Sequence, residues 1–142
     1  MEIRTFDMDD YDRVVQLWRS RGIKMCPSDT REAIEKKLAR DPDLFLVADS
    51  NGAILGAVVG AWDGRQGWIY NAAVDQAVQR RGVGRLLAEE LENRLRAKGA
   101  LKVGLLVGED NYYAQDFFEA LGFHLAENER VMSKAIQPGQ PC

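Results

Sequence analysis

The chain has 142 residues, 22 acidic and 19 basic, for a formal net charge of −3 with its single His neutral. That length suits one domain with its own core, and 46% hydrophobic with 29% charged residues excludes a disordered chain. The acidic balance argues against a general nucleic-acid binder, and no apolar run approaches the ~18 residues of a membrane span, so neither nucleic acid nor membrane is an expected partner.

Residues 3–6 read as a short strand. Asp9 or Asp10 offers a cap for a helix to about Ser20, in which Tyr11, Val14, Val15 and Trp18 fall at i, i+3, i+4 and i+7 on one face. Gly22 stops it. After a loop over 24–27, Ser28 or Asp29 offers the cap of a helix over 30–40, with Ile34 and Leu38 inward and Pro42 beyond its end. Residues 44–48 form a compact apolar strand. Asn51-Gly52 is the sharpest hairpin signal in the chain, so the strand over 54–62 returns antiparallel. Asp63-Gly64 marks a second reversal before a strand over 68–74. A long amphipathic helix, Val83–Lys98, carries Leu87, Leu91 and Leu95 in step, and Gly99 is its C-cap signal. Residues 102–107 read as a strand, 111–121 as a helix closed by Gly122, and 123–126 with 130–136 as a final strand pair. The domain then covers 1–136, and residues 137–142, with two prolines and a glycine, are an expected flexible tail.

The order is β-α-α-β-β-β-α-β-α-β-β. A helix between the strands over 68–74 and 102–107 makes them parallel neighbours in a right-handed crossover, and the remaining connections are hairpins. The fold class is therefore α/β: one domain, with a mixed central sheet of about seven strands flanked by helices. Cys26 and Cys142 do not make a disulfide framework, and the opening MEIRTFDMDD has no apolar leader, which together point to a reducing cytoplasm. One His and two scattered Cys cannot build a usual zinc site, so no metal is expected. His124 reads as structural, and Cys26 has no base partner that would make it a nucleophile.

The informative stretch is Gln79–Arg85, Q-R-R-G-V-G-R, between a strand and the long helix. Gly82 and Gly84 bracket the helix start, and Arg80, Arg81 and Arg85 sit there with no acid among them. A helix N-terminus exposes unpaired N–H groups and a partial positive charge, and glycine lets an anion approach the backbone. A localised polyanion site follows, best filled by a phosphate or pyrophosphate. The competing reading is a tight turn with solvated arginines. There is no G-K-[ST] as in a nucleoside-triphosphate loop. The spacing is not G-x-G-x-x-G, and no acid ends the next strand to hold a ribose.

Residues 72–87, A-A-V-D-Q-A-V-Q-R-R-G-V-G-R-L-L, resemble motif A of the GCN5-related N-acetyltransferases (GNAT), whose pattern [QR]-x-x-G-x-[GA] is matched by Gln79, Gly82 and Gly84. Residues 111–123, N-Y-Y-A-Q-D-F-F-E-A-L-G-F, resemble its motif B. The element order matches the family over nearly the whole chain, closest to small bacterial members of the YpeA type. The resemblance implies acetyl-CoA as donor and a direct transfer of its acetyl group to a primary amine: a protein N-terminus, a lysine or a small cationic amine. It implies that the amides of Arg80, Arg81, Gly82, Val83, Gly84 and Arg85 hold the pyrophosphate. Ala72, Ala73 and Val74 would offer backbone groups to a pantetheine arm wedged between splayed parallel strands, the fourth and fifth. An N–H near Val74 would stabilise the oxyanion, Asn111 would bond the pantetheine, and the motif B helix, with Phe118, would flank it. Asn111 also reads as a plain helix cap. The family pairs in several ways, often through its C-terminal strands, so a homodimer is a further expectation of the resemblance.

Two departures from the family stand out. Its usual acid is a Tyr on the motif B helix, and here that position is Phe118, which has no proton to give. Its frequent Glu base on the strand over 68–74 has no counterpart. Tyr112 and Tyr113 lie off the Phe118 face and read as packing or adenine-side residues. Tyr70, on the strand face of Trp68 and Ala72, and Glu109 are the remaining candidates for catalytic work. An acceptor pocket is expected where the first two helices, the Asp63 turn and the last hairpin converge. Trp62, Asp63, Asp29, Glu127 and Glu129 would make it aromatic and acidic, unless they are solvated loop charges. The alternative function is an acyl-CoA-binding sensor of the same fold with little or no catalysis.

Overall fold

The expected alternation of strands and helices is realised in a computed structural model that describes residues 1–139 and 142. The part of the expected tail at 140 and 141 lies outside the described residues. The chain divides into two units, Met1–Leu105 and Leu106–Cys142.

In the first unit, β1 (Glu2–Thr5) leads through a short 3-10 turn to α1 (Tyr11–Ser20), and a second 3-10 turn, Pro27–Asp29, leads to α2 (Arg31–Arg40). The cap of α2 is Thr30, whose side chain accepts from the Ala33 amide at 3.2 Å, and not Ser28 or Asp29. Both of those fall inside the 3-10 turn, where a cap has no free N2 or N3 amide of α2 to reach. The sheet continues with β2 (Phe45–Ser50), β3 (Ala53–Trp62) and β4 (Gly67–Val74), and after α3 (Val83–Lys98) closes with β5 (Val103–Leu105). Strand order follows the sequence, β1 to β5, antiparallel until the parallel β4–β5 pair. Asn51 and Gly52 both take positive φ, 52° and 91°, as the two-residue hairpin between β2 and β3 requires.

Period-two alternation sends β2 and β3 side chains to two different helices. On one face, Phe45, Val47, Ala57 and Val59 pack with Val14, Leu17 and Trp18 of α1 and Ile34 of α2. The Phe6 and Phe45 rings stack at 4.0 Å, and those of Trp18 and Phe45 at 6.0 Å. On the other face, Leu87, Leu91 and Leu95 of α3 sit over a track of three glycines. A Cβ on Gly56 would come within 2.8 Å of Leu87, one on Gly67 within 2.6 Å of Leu95, and one on Gly60 would collide with Leu91. The missing side chains let α3 lie close against the sheet, and Leu91 and Leu95 are completely buried. Each such leucine contributes about 1.5–3 kcal/mol relative to exposure.

The second unit holds α4 (Tyr112–Ala120) and no strand among its described residues. The sheet therefore has five strands, and the expected pair over 123–126 and 130–136 is absent. A lone hairpin is marginal in water unless its apolar face is covered. Here Leu125, Val131, Met132 and Ile136 are all exposed. Within this unit Phe118 packs edge-on against Phe117 and Phe123, with centroids at 5.0 and 5.4 Å. Among the described residues, no helix is long and apolar enough to cross a membrane.

Candidate functional site

The β4–β5 ladder is short. It pairs Gly67 with Val103, Trp68 with Gly104 and Ile69 with Leu105, then stops, while β4 runs on to Val74. From Tyr70 to Val74 the edge of β4 on that side is released from the ladder, and within this stretch the Asn71 carbonyl accepts from the Trp18 indole instead. The expected splay of these two strands begins after one turn of pairing. The Trp68 ring marks the closed end: a Cβ on Gly104 would meet it at 2.8 Å.

On its other side β4 pairs with β3, and there it carries an extra residue. Tyr70 faces Val59 and Ala73 faces Ala57, so Asn71 and Ala72 together oppose Val58. Asn71 absorbs this bulge in a left-handed conformation, φ 47°. Asparagine tolerates that region better than other residues with a side chain, and bulges re-aim a strand where a site is built. The residue pattern alone predicts an unbroken strand through this point. An Asn among apolar and aromatic strand residues was the available signal.

Beyond Val74 the chain turns into α3. Asp75 caps the intervening turn, accepting from the Ala77 amide at 2.8 Å, and its own amide donates to the Leu55 carbonyl at 2.8 Å. A Cβ on Gly56 would lie 3.1 Å from Val83 and 3.3 Å from the Ala73 carbonyl, so the end of β4 and the first residue of α3 meet over one glycine. Gly82 takes φ 86° as the N-cap of α3, with nothing near the position of its absent Cβ. Arg80 is also left-handed, φ 64°. The first helical bond runs from the Leu86 amide to the Gly82 carbonyl at 3.0 Å, so the amides of Val83, Gly84 and Arg85 stand ahead of it and point out of the helix end. The first turn of α3 holds no acid, and the Arg80, Arg81 and Arg85 side chains are exposed. Arg85 approaches Glu89 only loosely, at 3.7 Å. This corner combines open backbone, a helix dipole and guanidinium charge, which suits a diphosphate. Of the two stretches expected on one site, Ala72–Val74 and Gln79–Arg85, Ala73 and Val83 meet over Gly56.

Tyr70 is the first residue past the β4–β5 ladder and is 46% exposed. Asn111 caps α4, its side chain accepting from the Ala114 amide at 3.1 Å, and Glu109 is exposed while its carbonyl accepts from Gln115 at 3.0 Å. These two, like Phe118, belong to the second unit. Asp29 and Asp63, expected as acids facing a cationic acceptor, are committed to the framework. Asp29 is buried, accepting from the Cys26 amide and from Asn71. Asp63 accepts from the Arg65 and Gln66 amides at 2.7 and 2.8 Å and from the Trp68 indole at 3.3 Å. The Gln66 and Arg65 amides hold its carboxyl below the usual carboxylate range. Neither cysteine is a free thiol, which corrects the expectation that the two make no disulfide framework, takes away its support for a reducing compartment, and accords with the reading that Cys26 is not a nucleophile. No cluster of three His, Cys, Asp or Glu able to hold a metal ion occurs among the described residues.

The model of the acetyltransferase (GNAT) family matches residues 11–123. An acetyltransferase of Pectobacterium atrosepticum is 39% identical over 127 residues, covering 89% of this chain and 90% of the relative. Among solved structures, Ard1 from Thermoplasma volcanium superimposes with a TM-score of 0.78 at 27% identity, over 87% of this chain and 82% of that one. The PaiA N-acetyltransferase of Thermoplasma acidophilum, solved in complex with coenzyme A, gives 0.77 at 18% identity, over 90% and 92%, a likeness of fold.

Proposed function

The chain belongs to the acetyltransferase (GNAT) family, and from that premise we propose that it is an N-acetyltransferase that moves the acetyl group of acetyl-CoA to a primary amine of a small molecule or peptide. The observation that carries this reading is the meeting of the open β4 edge with the start of α3. The amides of Val83, Gly84 and Arg85 take the diphosphate, helped by Arg80 and Arg81. The pantetheine arm runs along Ala72–Val74 in the place β5 vacates, which puts the thioester beside the bulge.

Transfer is a direct attack. The amine nitrogen forms a bond to the thioester carbon, the carbonyl oxygen takes the negative charge, and the C–S bond then breaks to release CoA thiolate while the nitrogen gives up its extra proton to water, leaving the amide. A backbone N–H near Val74 donates to the oxyanion. A lysine-like amine, pKa near ~10.4, must lose its proton first, at a cost of about 4–5 kcal/mol at pH 7. Tyr70, exposed at the mouth of the splay, orients that amine or a water which accepts its proton, and Glu109 is the nearest carboxylate in sequence beyond β5. Phe118 cannot protonate the thiolate, so the leaving group departs unassisted.

A second reading, an acyl-CoA sensor, draws support from the same residues: β4 carries no carboxylate, and position 118 no hydroxyl. One measurement tests both readings together, and a second separates them. Acetyl-CoA at 100 times its Kd raises stability by about 2.7 kcal/mol in either case, and no thermal shift would remove both. A free-thiol assay over an amine panel then decides: release above the no-amine rate supports the enzyme, and background release with every amine supports the sensor.

A further inference from the structure

Asn71 is held at both of its polar ends. The Trp18 indole, wholly buried, donates to the Asn71 carbonyl at 3.1 Å, and the Asn71 side-chain amide donates to Asp29 Oδ1 at 2.9 Å. Asp29 is itself 6% exposed and anchored three ways: Oδ2 accepts from the Cys26 amide at 3.0 Å, Oδ1 from Asn71, and the Tyr11 hydroxyl donates to its carbonyl at 2.7 Å. Closing the Pro27–Asp29 turn needs only the Cys26 bond. The second oxygen spans 42 residues of sequence to reach β4. A buried carboxylate bonded on both oxygens is costly to assemble and, once assembled, fixes what it holds.

We propose that Asp29 and Asn71, backed by Trp18, are positioning residues for acetyl transfer. Their bond locks the left-handed bulge of β4, and so sets the direction of Tyr70 and of the Ala72–Val74 backbone, and it ties the 26–30 loop to that bulge. This rests on the acetyl-transfer reading above. The diphosphate corner at α3 lies outside the clamp, so breaking the clamp lowers the rate of transfer far more than it lowers affinity for acetyl-CoA. General destabilisation would scale both with the folded fraction.

The chemistry of the pair supplies its own controls. Asn71→Asp sets two carboxylates face to face. Asp29→Asn leaves a bond available, because the Asn71 amide can turn over and accept. The reciprocal pair, D29N with N71D, restores a donor opposite an acceptor and keeps the Cys26 bond. The full chain and these three variants are measured for kcat/KM with the best amine of the panel, for acetyl-CoA Kd by calorimetry, and for hydrogen exchange of the amides at 26–30 and 70–72. Expected are a fall of at least about tenfold in kcat/KM for N71D with Kd within about threefold, a smaller fall for D29N than for N71D, recovery in the reciprocal pair, and faster exchange at both segments in N71D than in D29N or the reciprocal pair. Asn71→Gly, which keeps the left-handed backbone without the link, is expected to show the same loosened exchange at 26–30. Unchanged exchange in N71D and N71G, or a reciprocal pair no better than N71D, would overturn the proposal. If the unmodified chain releases no thiol with any amine, acetyl transfer fails, while the exchange data still decide whether the clamp holds.

Discussion

The two halves of β4 follow opposite rules within one strand. From Gly67 to Ile69 it is paired on both edges, and Gly67 receives the fully buried Leu95. From Tyr70 to Val74 it loses one neighbour, bulges against the other and exposes Tyr70 and Ala72. The first half anchors, and the second is held open. The contrast shows how a strand can leave a ladder without fraying: the freed half is braced at Asn71 by Trp18 and Asp29. The rigid half belongs to the glycine–leucine track, and the open half leads to the start of α3, where the diphosphate is proposed to sit.

That division makes separable claims. The largest effect is expected in the anchored region. Gly60→Ala drives a methyl into Leu91, which is wholly buried and has nowhere to go, with the Leu44 carbonyl at 3.0 Å on the other side. It should cost about 1–3 kcal/mol, read as a lower urea midpoint, with acetyl-CoA affinity of the folded protein intact. A stability unchanged by that methyl would mean the track is not tightly packed.

Next is Gly84→Val, which crowds the first turn of α3. Affinity for acetyl-CoA should drop at least about tenfold, some 1.4 kcal/mol, with little change in Tm. Wild-type affinity in calorimetry would put the diphosphate elsewhere. Arg80→Gly is expected to split the two properties in opposite directions. Relieving a left-handed arginine should hold or raise stability by up to about 1 kcal/mol, while loss of the guanidinium weakens binding. A fall in both would mean that Arg80 serves the fold instead.

The smallest effect concerns the Asp63 turn that leads into β4. Its carboxyl titrates lower folded than unfolded, because the Gln66 and Arg65 amides bond the charged form. The stability it gives is therefore complete above the unfolded pKa of about 3.9 and is lost as pH falls below that toward the folded value. Asp63→Asn should flatten the acid limb of a stability-against-pH curve and leave the curve above pH 5 parallel to wild type. An unchanged acid limb would show that Asp63 adds nothing to it.

Much of this was legible in the residues. The bounds of α3 are those its leucine period and flanking glycines imply, because Gly82 and Gly99 adopt the positive φ that such ends demand. Asn51-Gly52 specified its hairpin for the same local reason. What escaped depends on distant partners. The left-handed Asn71 is stabilised by Trp18 and Asp29, 53 and 42 residues away in sequence, so no window around β4 contains its cause. Asp29 and Asp63 read as solvated or as pocket-lining acids; Asp29 is taken by Asn71 from a distant strand, whereas Asp63 bonds the amides two and three residues on, a local turn. The alternation over 123–136 suggested strands, but alternation cannot supply a neighbouring strand or a covering layer, and β5 itself shrank from six expected residues to three, Val103–Leu105.

The most direct measurement is a titration of the isotopically labelled chain with acetyl-CoA, followed amide by amide by NMR. A diphosphate cradled at the start of α3 with its arm along the open half of β4 gives the largest shifts at Val83, Gly84 and Arg85 and at Ala72–Val74, with Gly67–Ile69 nearly still. Shifts concentrated away from those two stretches, or a saturating excess of ligand that moves none of them, would contradict it.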